Sequence, residues 1–427
     1  MTRRGPTRAL LIYPRFNPNS FWNYQATCEV MGARYPAAPL GLITVAAMLP
    51  PSWEVRLVNR NAEELTDEHL AWADVVLTGG MMPQQPDALR LIELAHQRGL
   101  PVVVGGPDAS SSPHVYAAAD FLVVGEAEEI LGDFVRALEA GETTGVFKAE
   151  RFADVTRSPV PRFDLLNLEH YLHVGVQWSR GCPFNCEFCD IIELYGRVPR
   201  TKPNAQMLAE LDALHALGYR GHVDFVDDNL IGNKKLLKAL LPELKGWLER
   251  HDWPFEFSTE ASMNLADDQA LLDMLKETNF FAIFVGIESP DTETLIQAQK
   301  KQNTRREMAD SIHKIYRAGI LSVGPGQTSA GLSLGMTKFQ VMRRIVLPQA
   351  VIRVIPPLST MWVSLFKDTS ILSAIGVVEL MTQARHLAIE TYRPLEIFTV
   401  AAAIYFVITY PQSIGVNVLY RRFRTQE

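Results

Sequence analysis

The chain has 427 residues, 47% of them hydrophobic and 21% charged, with a formal net charge of −7. That length holds two or three domains, and the apolar share excludes a disordered chain. The acidic balance excludes a general nucleic-acid binder, which needs a basic excess against phosphate. Acidic residues crowd the first three quarters, and from Lys338 onward charges thin out and long apolar runs take over.

The N-terminus has a basic start, and its first apolar run, Ala9 to Tyr13, is followed at once by Pro14 and Arg15. That run is too short for a secretory signal core and reads as a first buried strand, so the front of the chain is expected in the cytoplasm. From Arg8 to about Gly145, runs such as RALLIYP, WEVRLVNR, ADVVLTGG, LPVVVGGP and FLVVGE alternate with amphipathic segments. In PDALRLIELAHQRG, Ala88, Leu91, Ile92 and Ala95 share one helical face. Apolar strands separated by single helices predict a parallel α/β sheet covered on both faces, a doubly wound domain over residues 1–150. Ligands of such sheets lie beyond the carboxyl ends of the strands. The rim residues there are Thr78, Gly79 and Gly80, then Gly105, Gly106 and Pro107, then Gly125 and Glu126. Glycines at these ends also serve simply to turn the chain, and the two readings stay open.

A proline-punctuated connector, Ser158 to Phe163, leads to a second series, read as a (βα) barrel over residues 160–320. Its strands are HVGVQWS, HVDFVDD, FEFSTEA and FAIFVGIES, with helices at Ala205–Leu217, Lys234–Arg250 and Asp267–Lys276. Asp227, Asp228, Glu260 and Glu288 stand at the strand ends, the rim where barrel enzymes do chemistry. Cys182, Cys186 and Cys189 directly follow the first of these strands. Three thiols so close together do not make a disulfide framework and point to a metal site in a reducing compartment. A structural zinc ion wants four protein ligands, and no fourth cysteine or paired histidine lies nearby. Three thiolates leave one iron of a 4Fe–4S cluster open. The remaining cysteine, Cys28, reads as buried and inert.

"GCPFNCEFCDI..LYGR.PR.K", "FVDDN.IGN" and "FVGIES" resemble the cobalamin-binding radical S-adenosylmethionine family, in its hopanoid-methylase-like branch, from Leu10 to about Ile320. The resemblance implies that Cys182, Cys186 and Cys189 hold the cluster and that Phe188 packs by the adenine of S-adenosylmethionine. It makes Asp227, Asp228, Glu260 and Glu288 candidate polar contacts to S-adenosylmethionine or substrate. It also implies an electron donor for the cluster, and reductive cleavage of S-adenosylmethionine to a 5′-deoxyadenosyl radical. The methylation it implies acts on a lipid-like acceptor. The first domain then corresponds to a cobalamin domain with the rim residues above around the cofactor. The DxHxxG signature of base-off cobalamin proteins is missing, since the loop after the second strand reads Asn59-Arg60-Asn61-Ala62. No histidine from that motif is available to the cobalt.

After FVGIES comes one more helix, with Met308, Ile312 and Ile315 on one face, and the barrel pattern then stops short of its last strands. Residues 329–348, SAGLSLGMTKFQVMRRIVLP, resemble the coupling loop of ABC importer permeases. Ser329, Ala330, Gly331, Gly335, Ile345, Leu347 and Pro348 hold every spacing of that family's pattern, with serine for the usual glutamate and glycine for the second alanine. "KDTSIL.AIGV.EL" and "TYRPLE" extend the likeness to polar-amino-acid permeases over residues 321–427. The resemblance implies an ATPase partner at the loop. Ile397 to Tyr420 holds no charged residue over 24 positions before Arg421, Arg422 and Arg424. A helix of that length is about 36 Å, enough to cross a bilayer core, with the arginines on the cytoplasmic side. Val354 to Val378, interrupted by Lys367 and Asp368, is a second candidate span. The expectation is a cytoplasmic front anchored to the inner membrane by an all-α back, with a seam at Arg317–Ile320 joining two genes by fusion or by an error of assembly. Three functions follow: a radical enzyme by descent, a transporter subunit, or a nonfunctional hybrid.

Overall fold

A computed structural model describes residues 6–17, 24–289, 291–304, 308–320, 380–391, 393, 395–404 and 406–407. The chain divides into two compact units, Met1–Gly319 and Ile320–Glu427. In chain order the front unit opens with β1 (Arg8–Tyr13), α1 (Gln25–Met31), β2 (Tyr35–Ala37), α2 (Leu40–Met48), β3 (Glu54–Asn59), α3 (Asp67–Trp72) and β4 (Val75–Gly79). It continues through α4 (Gln85–Gln97), β5 (Val102–Gly105), α5 (Pro107–Ser111), β6 (Phe121–Val124), α6 (Ala127–Glu139) and β7 (Gly145–Lys148). The second series is β8 (Tyr171–Val176), β9 (Ser179–Arg180), α7 (Ile191–Tyr195), β10 (Arg200–Thr201), α8 (Asn204–Ala216), β11 (Gly221–Phe225) and α9 (Lys234–Arg250). It closes with β12 (Phe255–Ala261), α10 (Gln269–Glu277), β13 (Phe280–Val285), α11 (Thr292–Gln297) and α12 (Met308–Ile320).

Six strands form a parallel sheet in the order β3-β1-β4-β5-β6-β7. Its centre is apolar on both faces. Leu10 and Ile12 of β1 join one buried cluster with Val76, Val104 and Leu91, while Ala9 and Leu11 join another with Leu77, Val103 and Phe134. Two-sided burial explains the unbroken apolar runs of the central strands. At the edge, β3 alternates and keeps polar Glu54 and Arg56 outward.

The second sheet is also parallel, in the order β13-β12-β11-β8-β2. Val223, Phe225, Phe255 and Phe257 face the helices α8, α9 and α10 and meet Leu211, Leu241, Trp247 and Leu272 in one core. The alternate residues of the same strands, His222, Asp224 and Ser258, fall on the opposite, concave face. Among the described residues the sheet ends on β13, where Phe284 is 63% exposed. The sequence did not single out β2. It lies between β1 and β3 in the chain, yet pairs with β8, with Tyr35 opposite Tyr171 and Ala37 opposite His173.

In the back unit one further helix, α13 (Leu380–Thr391), is described, with residues 395–404 also helical. Among the described residues no helix is long and apolar enough to cross a membrane. Ala330, Gly331, Gly335, Ile345, Leu347, Pro348, the Val354–Val378 segment and most of Ile397–Tyr420 lie outside them.

Candidate active site

The carboxyl ends of β4, β5 and β6 open into a cavity of about 430 Å³. All eight rim residues singled out in the sequence line it: Thr78, Gly79, Gly80, Gly105, Gly106, Pro107, Gly125 and Glu126. The floor is apolar, from Leu42, Val45, Leu77, Val103, Val123 and Leu131, and the far wall comes from Gln177 after β8, Arg180 of β9, Tyr195 of α7 and Val226 after β11. Several rim residues are committed to the fold. The Thr78 hydroxyl donates to the Ile12 carbonyl at 2.8 Å, and a Cβ on Gly79 would stand 2.4 Å from the Gly105 oxygen. The sequence missed α2, whose first turn forms part of the wall, because LGLITVAAM is apolar without a period.

No histidine lines this cavity among the described residues. The side chains of the Asn59–Ala62 loop, where a DxHxxG histidine would stand, are tied into the fold. Asn61 donates to the Pro14 carbonyl at 2.9 Å, and Asn59 donates to the Tyr171 hydroxyl at 3.2 Å. A mostly apolar cleft rimmed by glycines fits the face of a corrin ring edged with amide groups.

The three-thiol loop begins where β9 ends. Gly181 has φ +93°, and a Cβ there would meet the carbonyl oxygens of Gly196, Tyr195 and Val198 at 2.8, 2.9 and 3.2 Å. Only glycine suits so tight a passage. The Cys182 amide donates to Gly196 O at 3.2 Å, Cys189 N to Cys186 O at 3.2 Å, and Glu187 N to Ala298 O at 3.0 Å. All three thiols are free and half-buried. Burial pushes the Cys182 and Cys189 thiols up, and each of the two also feels the neighbouring Cys186. Among the described residues no three histidine, cysteine, aspartate or glutamate side chains converge tightly enough for a single metal ion. A multi-iron cluster demands less convergence, since each ligand binds a different iron. Three thiols on one loop, with no fourth nearby, fit that donor set.

The strand-end acids divide in two. Asp227 is buried and turned inward, accepting from the Trp178 and Ser179 amides and from the Ser179 hydroxyl. Burial pushes its carboxyl up to about 7 against these donors. Asp228 accepts from the Gly181 amide at 3.2 Å, beneath the thiol loop, and burial raises it to about 6. Glu260 is accessible to solvent yet crowded inside the concave face. That crowding, with Asp224 and Asp228 adding repulsion, raises it to about 7. Glu288, at φ +65°, pairs with Lys300, whose ammonium also lies 5.5 Å over the Phe188 ring. Phe188 itself is 58% exposed.

Arg180 joins the thiol loop to the cavity, a residue the spacing arguments passed over because it belongs to no repeat. Its guanidinium lies 3.0 Å from Glu126 and 2.8 Å from Glu128, and Arg200 lies 2.9 Å from Glu126. All four side chains are largely buried. Burial alone would lift the Glu128 carboxyl, but Arg180 beside it and the Ser158 hydroxyl outweigh that and hold it near 2. Glu126, a rim residue by sequence, is thus tied to both arginines.

These carboxyls give stability a pH dependence whose sign is fixed. Asp227, raised from about 4 to about 7, favours the folded state fully below its unfolded value, and that contribution is lost as pH rises through 7. Glu128 acts oppositely, and its contribution disappears as pH falls from about 4.5 toward 2. Melting of the chain is therefore expected at a lower temperature at pH 8 than at pH 5.5, with a shallower slope in Asp227→Asn. Scanning calorimetry across that range checks it, and an equal slope in the variant refutes the assignment.

Residues 176–330 match the Radical SAM superfamily, residues 30–135 the B12 binding domain, and residues 312–425 the binding-protein-dependent transport system inner membrane component. The chain joins a B12-binding radical SAM segment to a fragment of a transport permease. Over 315 residues it is 53% identical to an uncharacterised methyltransferase of Synechocystis sp., covering 73% of this chain and 59% of that protein. Over 336 residues it is 36% identical to the hopanoid C-2 methylase of Rhodopseudomonas palustris, covering 77% of this chain and 62% of that one. The chain thus spans about three fifths of the length of these relatives. Its back is 37% identical over 113 residues to the glutamine transport system permease protein GlnP of Escherichia coli, covering 26% of this chain and 52% of the permease. In fold, the front resembles the radical S-adenosylmethionine methyltransferase TsrM of Kitasatospora setae with cobalamin and a [4Fe-4S] cluster bound. The TM-score is 0.59 at 17% identity, covering 74% of this chain and 65% of that one.

Proposed function

We propose that the front unit is a cobalamin-dependent radical S-adenosylmethionine methyltransferase for a lipid-like acceptor, with weak turnover in this chain. The observation that carries the reading is Arg180, which abuts the three-thiol loop and closes the wall of the glycine-rimmed cavity. In this reading Cys182, Cys186 and Cys189 hold the cluster, and Phe188, Asp228, Glu260 and Glu288 stand around the place of S-adenosylmethionine. The cluster and S-adenosylmethionine supply a carbon radical, and cobalamin supplies the methyl group. Asp227 fixes the turn between β8 and β9 from below rather than touching a ligand. An electron donor for the cluster completes the set of partners. The kinship to a hopanoid methylase supports the lipid-like acceptor.

Weak turnover rests on the barrel pattern of the sequence, which stops one helix after FVGIES and gives way to a permease-like stretch. Anaerobic reconstitution should load about four irons per chain, the content of one cluster. Triple replacement of the three cysteines should abolish loading, and 5′-deoxyadenosine should form only in traces. Zinc in place of iron would end the reading, and vigorous 5′-deoxyadenosine release would overturn the weakness.

The permease fragment supports a second role for the back, with residues 321–427 as its domain. Ala330, Gly331, Gly335, Ile345, Leu347 and Pro348 would form the surface for an ATPase subunit, and the inner membrane would anchor the chain. Affinity capture from solubilised membranes should retain an amino-acid importer ATPase and lose it in Gly335→Arg. Equal capture by both chains would remove this role.

A further inference from the structure

Two side-chain amides reach the sulfurs of the thiol loop from opposite parts of the barrel. Asn229, at the end of β11, places Nδ2 at 3.8 Å from the Cys182 Sγ, and Gln302, after α11, places Nε2 at 3.4 Å from the Cys186 Sγ. Neither contact was among the residues singled out in the sequence. Asn229 is 2% exposed and its amide cannot turn round. Its Oδ1 accepts from the Ser262 backbone N–H at 3.2 Å, and its Nδ2 also donates to the Ser262 hydroxyl at 3.1 Å. The Ser262 hydroxyl is anchored in turn by Asn264 at 2.6 Å. The N–H edge is therefore aimed at sulfur by a backbone group.

Gln302 makes the complementary case. Its Oε1 is buried with no hydrogen-bond partner among the described residues, while its N–H edge faces the thiol. A buried amide carbonyl left unsatisfied loses its bonds to water and gains nothing in return. An amide kept there only for packing would be better replaced by an apolar side chain, so the contact to sulfur is the feature that accounts for it.

We propose that Asn229 and Gln302 are positioning residues that set the reduction potential of the cluster by donating N–H hydrogen bonds to two of its three cysteine sulfurs. This rests on the reading of the thiol loop as a cluster site. Donors to a thiolate favour whichever redox state carries more negative charge, and in an iron–sulfur cluster that is the reduced state. Both amides thus raise the potential and make the reducing electron easier to accept. The two side-chain donors fall on Cys182 and Cys186, while Cys189 takes a backbone N–H from Ile191.

The test uses the full chain reconstituted anaerobically with iron and sulfide, with the midpoint potential read by dithionite titration under visible and paramagnetic-resonance detection. Gln302→Met keeps the side-chain length and removes the donor, and its midpoint should move to a more negative value. Asn229→Leu should move it the same way. Should that buried replacement fail to fold, Gln302→Met decides alone. Gln299→Met is the control: Gln299 and Gln302 both line a second cavity of about 310 Å³ beside the thiol loop, but Gln299 accepts from Asn185 at 2.9 Å and is not seen donating to a cysteine sulfur, so its loss should leave the midpoint unchanged. An unshifted midpoint in a fully loaded Gln302→Met chain overturns the proposal and leaves the cluster reading standing. Equal shifts in Gln302→Met and Gln299→Met also overturn it, since cavity polarity would then be the cause. Absence of iron from the unaltered chain overturns both.

Discussion

A Gly181→Ala chain is expected to take up less than about a tenth of the iron bound by the unaltered chain under identical reconstitution. The added methyl meets three carbonyl oxygens, all of backbone and all fixed by the turn that follows α7. None of the three is the free end of a side chain that could swing away. A non-glycine residue at φ +93° carries about 1–3 kcal/mol of backbone strain besides. The loop relieves both by moving Cys182, whose amide is held to Gly196 O. The rest of the barrel core lies beneath and is untouched, so thermal unfolding should shift little while iron per chain collapses. Iron assay alongside circular dichroism separates the two. Full iron loading in this variant would mean that the loop does not form as described.

Arg180→Met is expected to destabilise the front unit by about 3–5 kcal/mol, the range for removing one partner of a buried ion pair. Arg200 still reaches Glu126, so the orphaned group is chiefly Glu128, whose side chain is 4% exposed and keeps only neutral donors, the Ser158 hydroxyl and its own backbone N–H. Adding Glu128→Gln to Arg180→Met should recover a large part of the loss, because the uncompensated charge is gone. Urea unfolding of the single, double and parent chains checks both statements. If the double variant is no more stable than Arg180→Met, the Arg180–Glu128 bond is not what holds this wall together.

How much of this was legible beforehand depended on whether a residue's task was local. β1, β4, β5 and β6 are apolar on both faces, so their runs announced a covered parallel sheet. β3 was grouped with those runs, yet it lies at the edge and alternates between exposed and half-buried residues along its first half. The thiol triplet was visible because its spacing is itself the chemistry. The strand-end acids were visible as a class, but their directions were not. Asp227 and Asp228 are adjacent in sequence, yet one turns inward to backbone amides and the other lies beneath the thiol loop. Which way each turns is set by where Trp178 and Gly181 lie, and those positions come from strand pairing over long sequence distances. Arg180, Asn229 and Gln302 were hidden for the same reason, because each acts through a partner far away in the chain. The eight rim residues do line one cavity, but Thr78 and Glu126 are engaged with protein partners there, a distinction no motif carries.

The pairing of Tyr35–Ala37 with β8 bears on how the chain is made. During synthesis this short strand leaves the ribosome roughly 10 s before Tyr171 exists, at ordinary rates of elongation. Its hydrogen-bonding edge, and Ile43 of the adjoining α2, must wait for the second core while β3 to β7 assemble against the rest of that helix. The nascent front is therefore an unfinished product until the second sheet arrives. Separate expression of residues 1–150 should yield a sticky, chaperone-bound fragment rather than an independent cofactor module.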